Sequence, residues 1–167
     1  RLLRLARLEP ELLRLRESVA MSYGFDNIVG IAKPMRQLKD SLRRVAPTDI
    51  AILLVGPAGA GKELIARTLH HHSRRRSGPF VSIDFSSMPE AALEQSLFEG
   101  LPFAESPLLE QADGGTLFLD AIDAASPAIQ TRLADFMRTR TLPDRGSRKA
   151  RVDFRLIATT DRDLNAL

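Results

Sequence analysis

Hydrophobic residues follow two patterns along this chain: short continuous apolar runs, and stripes of apolar residues three or four positions apart. The runs predict strands at 49–55, 80–84, 116–120 and 152–159, and the first is continuous enough for a strand buried on both faces. The stripes predict helices at 34–46, 62–70 and 89–98, and a further helix capped by Ser126 and Pro127. Strands that alternate with helices predict an α/β fold of three layers, α/β/α, with a mostly parallel sheet.

The first 20 residues carry apolar positions at heptad-like spacing. These positions are Leu5, Leu8, Leu12, Leu15 and Val19. The seam fits either a linker helix that dimerises or a helix packed back onto its own domain, and Pro10 and the short length count against a coiled coil. Turn-forming residues follow between Ser22 and Gly30. We therefore predict a linker helix at 1–21 and one domain at 22–167.

Composition excludes several classes of protein. The chain has no cysteine, which excludes disulfides and thiolate metal sites and is compatible with a reducing cytoplasm. Its longest apolar runs are strand-sized, so we expect no membrane partner. A net charge of +3, from 24 basic and 21 acidic residues, is too small for a concentrated nucleic-acid-binding face. Because the chain begins at Arg1 rather than Met, we expect a piece of a longer protein.

A G-x-x-x-x-G-K motif follows the first predicted strand and precedes a predicted helix, which is the context that a phosphate-binding loop needs. Its residues are Gly56, Pro57, Ala58, Gly59, Ala60, Gly61 and Lys62. Glycines let backbone N–H groups surround an anion, and the helix amino terminus and Lys62 add positive charge. The alternative is a glycine-rich turn with a solvated lysine. Glu63 stands where many such loops carry Ser or Thr for Mg²⁺.

An acidic residue ends the third predicted strand, where a magnesium-binding carboxylate would lie. Asp120 is this candidate, and its alternative role is to cap the following turn. The next residue, Ala121, lacks the carboxylate that would polarise an attacking water. Asp123 lies past the predicted end of the strand, and catalytic geometry tolerates little displacement. These residues therefore predict binding more strongly than hydrolysis.

Three clusters of basic residues have a structural explanation. His70–His72 contains all three histidines of the chain, but consecutive helical residues point about 100° apart and cannot converge on one metal ion. We expect the surface end of a helix there. The basic stretches at 74–76 and 145–151 lack interleaved aromatic residues, so we expect solvated loops rather than a nucleic-acid site.

Several motifs occur together in a fixed order. They are Tyr23–Gly30, Gly56–Leu64, His70–Ser73, Gly78–Phe80, Ala112–Asp120 and Ile157–Leu164. Together they resemble the AAA+ central domain of sigma-54-dependent transcription activators, also called bacterial enhancer-binding proteins. The resemblance runs from about Tyr23 to the end of the chain, and Glu63 is typical of that family.

This resemblance implies a P-loop NTPase core that binds ATP or ADP with Mg²⁺ in the cytoplasm. It also implies a homo-oligomer, as a dimer or ring, that acts on RNA polymerase and contacts DNA only through a domain outside this chain. The family's residue roles carry over to matching positions only. They make Gly56–Glu63 the Walker A loop, Asp120 the Walker B aspartate, Thr160 and Asp161 the sensor I segment, and Ile28, Val29 and Gly30 the segment beside the adenine.

The chain departs from the family at positions that matter for activity. Only residues 101–111 separate the Leu97–Gly100 segment from the next motif, which leaves no room for the GAFTGA loop that contacts sigma-54. Ala121 replaces the Walker B glutamate, and Asp84 and Asp161 replace two asparagines near the phosphates. The chain also stops before the arginine finger, fifth strand and helical lid, so we expect a core incomplete at the C-terminus. If residue 167 were the native end, the first strand would be left as a sheet edge, an aggregation liability, and this favours a fragment.

The sequence therefore predicts a nucleotide-binding module of a bacterial transcriptional regulator that is defective in hydrolysis and in contact with sigma-54. Two alternatives remain open. One is an active ATPase that uses another catalytic residue, and the other is an interaction module or fragment that binds no nucleotide.

Overall fold

A computed structural model of the protein describes residues 22–100, 106–142 and 151–162. The predicted linker helix at 1–21 and most of the basic stretch at 145–151 lie outside the described residues.

In the described part of the chain, four parallel strands form one sheet in the order β1-β4-β3-β2. The strands are β1 (Ile52–Val55), β2 (Phe80–Asp84), β3 (Thr116–Asp120) and β4 (Arg155–Thr160). The sequence predicted all four, although β1 and β4 begin later than expected. Because every pairing is parallel, the carboxyl ends of the strands lie along the same edge of the sheet.

Five helices that lie entirely within the described residues pack on this sheet. They are α1 (Lys33–Val45), α2 (Lys62–His71), α3 (Glu90–Glu94, continued by a π-helical turn over Gln95–Glu99), α4 (Leu108–Gln111) and α5 (Pro127–Thr139). Pro34 in the first turn of α1 and the Ser126 hydroxyl, which accepts from the Ile129 amide at 3.3 Å, confirm the predicted helix starts. No helix in the described ranges has the length and apolar character needed to cross a bilayer.

Alternate side chains of the central strands point to opposite helix layers. In β3, Phe118 packs with Ile65 and Leu69 of α2, whereas Leu117 and Leu119 pack in the cluster formed with α3 and α5. This alternation is what a strand buried on both faces requires. The predicted three-layer α/β/α arrangement is therefore confirmed.

Strand β1 differs from its prediction because one of its faces is open. Leu53 and Val55 are 46% and 53% exposed, whereas Ile52 and Leu54 pack against the α1–α2 side of the sheet. Within the described residues β1 has β4 as its one neighbouring strand and lies at the sheet edge. The prediction of a strand buried on both faces was wrong, because β1 is an edge strand within the described residues.

His70 and Arg75 were predicted at the surface, and both predictions were wrong. His70 is only 4% exposed, and its Nδ1 lies 2.9 Å from the Thr116 hydroxyl because the last turn of α2 packs over the start of β3. The Arg75 guanidinium bridges Asp49 at 3.0 Å and Asp153 at 2.9 Å. Arg75 therefore ties three loops together at the amino ends of the strands.

Arg155 anchors α1 to the sheet from a buried position. Its guanidinium donates to the carbonyl oxygens of Ala46 at 2.7 Å and Val45 at 2.9 Å, and the residue is 1% exposed. Carbonyl groups at a helix end lack partners within the helix, and a cation also interacts favourably with the negative end of the helix dipole. This contact fixes the end of α1 relative to β4.

Acidification should destabilise the protein through His70. Burial lowers its pKa from 6.5 to about 4, and the positive charges of His71, Arg155 and Arg67 act in the same direction. Protonation therefore favours the unfolded chain, so stability present above pH 6.5 is lost as the pH falls towards 4. We expect chemical denaturation to give a free energy of unfolding lower by about 1–2 kcal/mol at pH 5 than at pH 7.

The control variants for this prediction are His70→Gln and His72→Gln. Replacing His70 removes its titration and should reduce the dependence of the free energy of unfolding on pH between pH 7 and pH 5. Burial also lowers the pKa of His71, so part of that dependence should remain. Replacing the exposed His72 should leave it unchanged. If the free energy of unfolding depended equally on pH in the wild type and in both variants, the assignment to His70 would be contradicted.

Candidate functional site

A cavity of about 560 Å³ opens at the carboxyl edge of the sheet, between the loop after β1 and the ends of β2, β3 and β4. Its lining residues are Ala58, Gly59, Gly61, Lys62, Glu63, Asp84, Ser86, Asp120, Ala121, Asp123, Ala124, Thr159 and Asp161. The structure thus brings the predicted loop and the predicted Asp120 to one site. Carboxyl edges of parallel sheets are the usual location of ligand sites in α/β proteins.

The loop from Gly56 to Gly61 leads directly into α2. Gly59 and Gly61 have φ of 77° and 80°, a left-handed conformation that side chains with a Cβ rarely adopt. A Cβ at either position would meet no atom within 4 Å, so the requirement for glycine is conformational rather than steric. The first N–H groups of α2 have no partners within the helix and begin at the cavity wall, as an anion site requires.

Lys62 is held close to the loop by its own backbone. Its Nζ donates to the carbonyl oxygens of Gly56 at 2.8 Å and Pro57 at 2.9 Å. These contacts keep the ammonium group at the mouth of the loop. Glu63 turns to Arg67 at 2.8 Å, and the Arg67 guanidinium also lies over the rings of Tyr23 and Phe80.

Asp120 is oriented by a residue that the sequence analysis missed. The Thr159 hydroxyl donates to Asp120 Oδ1 and accepts from the Ala121 amide at 2.9 Å. The pairing of Leu119 with Ala158 places Thr159 beside Asp120. Knowing how β4 pairs with β3 would have identified Thr159. That pairing depends on the order of the strands in the sheet.

The two predicted sensor residues lie in different places. Asp161 lines the cavity, whereas Thr160 is 3% exposed and does not. The Thr160 hydroxyl accepts from the Arg162 amide at 3.1 Å, and its side chain lines a neighbouring groove with Asp123. Successive residues of β4 face opposite sides of the sheet, so Thr159 and Thr160 cannot both reach the cavity.

The segment predicted beside the adenine lies away from this cavity. Ile28 is 4% exposed in the core with α1 and α2, Val29 is 89% exposed, and Gly30 follows with a φ of 135°. None of the three lines the cavity at the strand ends.

Positions after Asp120 have an unusual backbone. Ala121 has φ 52° and ψ 50°, a left-handed conformation that is rare for a residue with a Cβ, and the residue lines the cavity. Asp123 lies in the following 3-10 turn, past the strand as predicted, and also lines the cavity. Its Oδ2 is 3.4 Å from Arg162 Nε, and the Thr160 hydroxyl lowers the pKa of Asp123.

This donor set fits a phosphate chain with a divalent cation. The left-handed glycines, the start of α2 and Lys62 suit an anion, and the Asp120 carboxylate suits Mg²⁺. Within the described ranges no group of three or more His, Asp or Glu side chains could hold a metal ion. A cation here would therefore need oxygen ligands from phosphate or water as well.

Comparison with known proteins gives one consistent family. The profile of the Sigma-54 interaction domain matches residues 28–167. The chain is 39% identical over 161 residues to the Nif-specific regulatory protein of Azotobacter vinelandii, covering 91% of this chain and 31% of that protein. It is 36% identical over 157 residues to the C4-dicarboxylate transport transcriptional regulatory protein DctD of Rhizobium meliloti, covering 89% and 34%.

Solved structures agree with this match. NtrX from Brucella abortus, crystallised in complex with ATP, gives a TM-score of 0.82 at 31% identity over 99% of this chain and 39% of that one. The P-loop NTPase domain of an Escherichia coli sigma-54 transport activator gives 0.57 at 26% identity, covering 83% and 82%. The chain spans about a third of the length of the curated relatives it matches.

Thr159→Val should destabilise the protein more than a surface Thr→Val change. The hydroxyl satisfies the Ala121 amide and the Asp120 carboxylate, and losing a partner of a buried polar group costs about 1–3 kcal/mol. We expect a loss of this size in urea denaturation, against a smaller loss for Thr131→Val on the exposed face of α5, whose hydroxyl bonds within the helix. Equal losses would mean that the Thr159 bridge contributes nothing specific.

Proposed function

We propose, from the premise that this chain belongs to the Sigma-54 interaction domain family, that it is the ATP-binding AAA+ module of a bacterial transcriptional regulator. The observation that carries the proposal is the glycine loop between β1 and α2, which faces Asp120 across one cavity at the carboxyl edge of a parallel sheet. Similarity to NtrX, whose structure was determined with ATP and with ADP, supports it.

In this proposal the phosphates bind to the loop 56–61 and to the start of α2. Lys62 exchanges its two backbone carbonyl partners for phosphate oxygens, which keeps the ammonium group paired in both states. Asp120, oriented by Thr159, would hold Mg²⁺, which supplies positive charge beside the outer phosphates. The segment Ile28–Gly30 is the proposed neighbour of the adenine, from family resemblance alone.

We further propose that hydrolysis is weak or absent. Ala121 lines the cavity at the position where the family resemblance implies a glutamate, so no carboxylate at this position can activate water. Losing a general base commonly lowers the rate by about 10²–10⁴-fold while leaving substrate contacts in place. The short connection 101–111 supports a second loss, that of the sigma-54-contacting loop.

The remaining assignments are also proposals. The longer protein would form a cytoplasmic homo-oligomer, act on RNA polymerase and contact DNA through a domain outside residues 22–167. Residues 1–21 would be the linker to an upstream domain.

A second candidate function is an active ATPase in which Asp123 activates the water. Asp123 lines the same cavity, and its Oδ1 is buried without a hydrogen-bond partner among the described residues. The carboxylate is nevertheless displaced by two residues from position 121.

Nucleotide binding should depend on Lys62 and Asp120. We expect a fluorescent ATP analogue with Mg²⁺ to bind the purified protein saturably, and Lys62→Ala to weaken binding by at least about tenfold, or about 1.4 kcal/mol. Asp120→Ala should weaken binding in Mg²⁺ and have less effect without it. Lys33→Ala, at an exposed position of α1, is the matched control. Failure of the folded protein to bind would favour an interaction module.

Turnover should respond to position 121. We expect phosphate release from the wild-type chain to be close to background, and Ala121→Glu to raise it by supplying a carboxylate at the cavity. In the second candidate function the wild type turns over, and Asp123→Asn abolishes that activity without weakening binding. Measurable wild-type turnover that is lost in both Lys62→Ala and Asp123→Asn would overturn the proposal of weak hydrolysis.

A further inference from the structure

The cavity has an uneven balance of charges. Among its lining residues Lys62 is the cation, whereas five side chains are carboxylates. These are Glu63, Asp84, Asp120, Asp123 and Asp161. Glu63 pairs with Arg67 at 2.8 Å and Asp123 with Arg162 at 3.4 Å, so two of the five are offset locally.

The other three carboxylates have no cationic partner in the part of the chain that the structure describes. Asp84 Oδ1 accepts from the Ser86 amide at 2.8 Å and the Ser86 hydroxyl at 2.6 Å, and Asp120 accepts from Thr159. These neutral donors orient the two carboxylates without neutralising them. Asp84 and Asp120 are also paired in register on neighbouring strands, which places both at the same level of the edge.

We infer that Asp84 and Asp161 make this site selective for nucleotide charge, so that without a divalent cation it binds ADP in preference to ATP. The inference rests on the proposed function, because it concerns nucleotide binding at the same cavity. The terminal phosphate of ATP adds negative charge to a cavity that Lys62 already shares with three carboxylates that have no cationic partner among the described residues. Like charges in a partly enclosed site repel, and Mg²⁺ bound with ATP offsets part of that repulsion.

Asp84 and Asp161 can be changed without removing the groups that are proposed to bind the nucleotide. Asp120 is the proposed metal-binding residue and Lys62 the proposed phosphate ligand, so changing either would alter binding itself. Asp84→Asn keeps an oxygen that can accept both bonds from Ser86, and it removes only the charge. Asp161 is exposed at the end of β4, so Asp161→Asn should also leave the fold intact.

The test is calorimetric titration of the protein with ADP and with ATP, each with EDTA and with excess Mg²⁺. We expect ADP to bind more tightly than ATP in EDTA and the ratio of the two Kd values to approach one in Mg²⁺. Asp84→Asn and Asp161→Asn should each shift the EDTA ratio towards ATP by on the order of fivefold, and the double variant by more. Asp135→Asn, on the exposed face of α5 and outside the cavity, should leave it unchanged.

The possible outcomes separate the two proposals. Nucleotide binding that depends on Lys62, with equal ADP-to-ATP ratios in wild type and both variants, overturns charge selection and leaves the proposed function standing. Binding of ATP that appears only in the double variant supports charge selection. Absence of binding in the wild type and in the folded double variant overturns both.

Discussion

Parallel pairing of β3 with β2 on one side and β4 on the other places the polar ends of three strands at one edge of the sheet. The register sets Asp84 opposite Asp120 and brings Thr159 next to it. β1 enters the same edge from beyond β4 and delivers the glycine loop to the cavity. If one of these pairings slipped by a residue, the polar strand ends would turn to the other face of the sheet and the site would not form.

Buried polar contacts fix this register from the opposite end of the strands. Thr116 and Arg155, the first residues of β3 and β4, are paired in the sheet, and both are almost fully buried. Thr116 contacts His70 at the end of α2, and Arg155 holds the carbonyl groups at the end of α1. The Thr116 hydroxyl and both terminal nitrogens of the Arg155 guanidinium have partners, so slippage would leave several unsatisfied polar atoms at once. Helix α2 therefore carries the P-loop at its start and a register-fixing contact at its end.

The local sequence pattern predicted most of the fold, but it did not predict which individual residues are buried or which side of the sheet they face. The apolar run of β3 and the glycine motif identify strand, loop and helix because each depends on neighbours in the sequence. Thr159 and Thr160 look equivalent in sequence, and only the pairing of β4 with β3 decides which one reaches Asp120. His70 and Leu53 were misjudged for the same reason. His70 is buried and Leu53 is exposed because of the strands and helices that are their neighbours in space.

In the proposed function, binding and hydrolysis are separable because they depend on different parts of the site. The glycine loop, Lys62 and the Thr159–Asp120 pair are built from backbone conformation and sheet register, and none of them involves the side chain at position 121. The Ala121 amide takes part in the Thr159 bridge whatever its side chain is, and that bridge holds the turn in its left-handed conformation. An alanine there can therefore remove a reactive group without disturbing the groups that hold a phosphate. The charge of the cavity can likewise be changed without disturbing its geometry. Ser86 orients Asp84 through two hydrogen bonds that the amide oxygen of an asparagine could accept equally well.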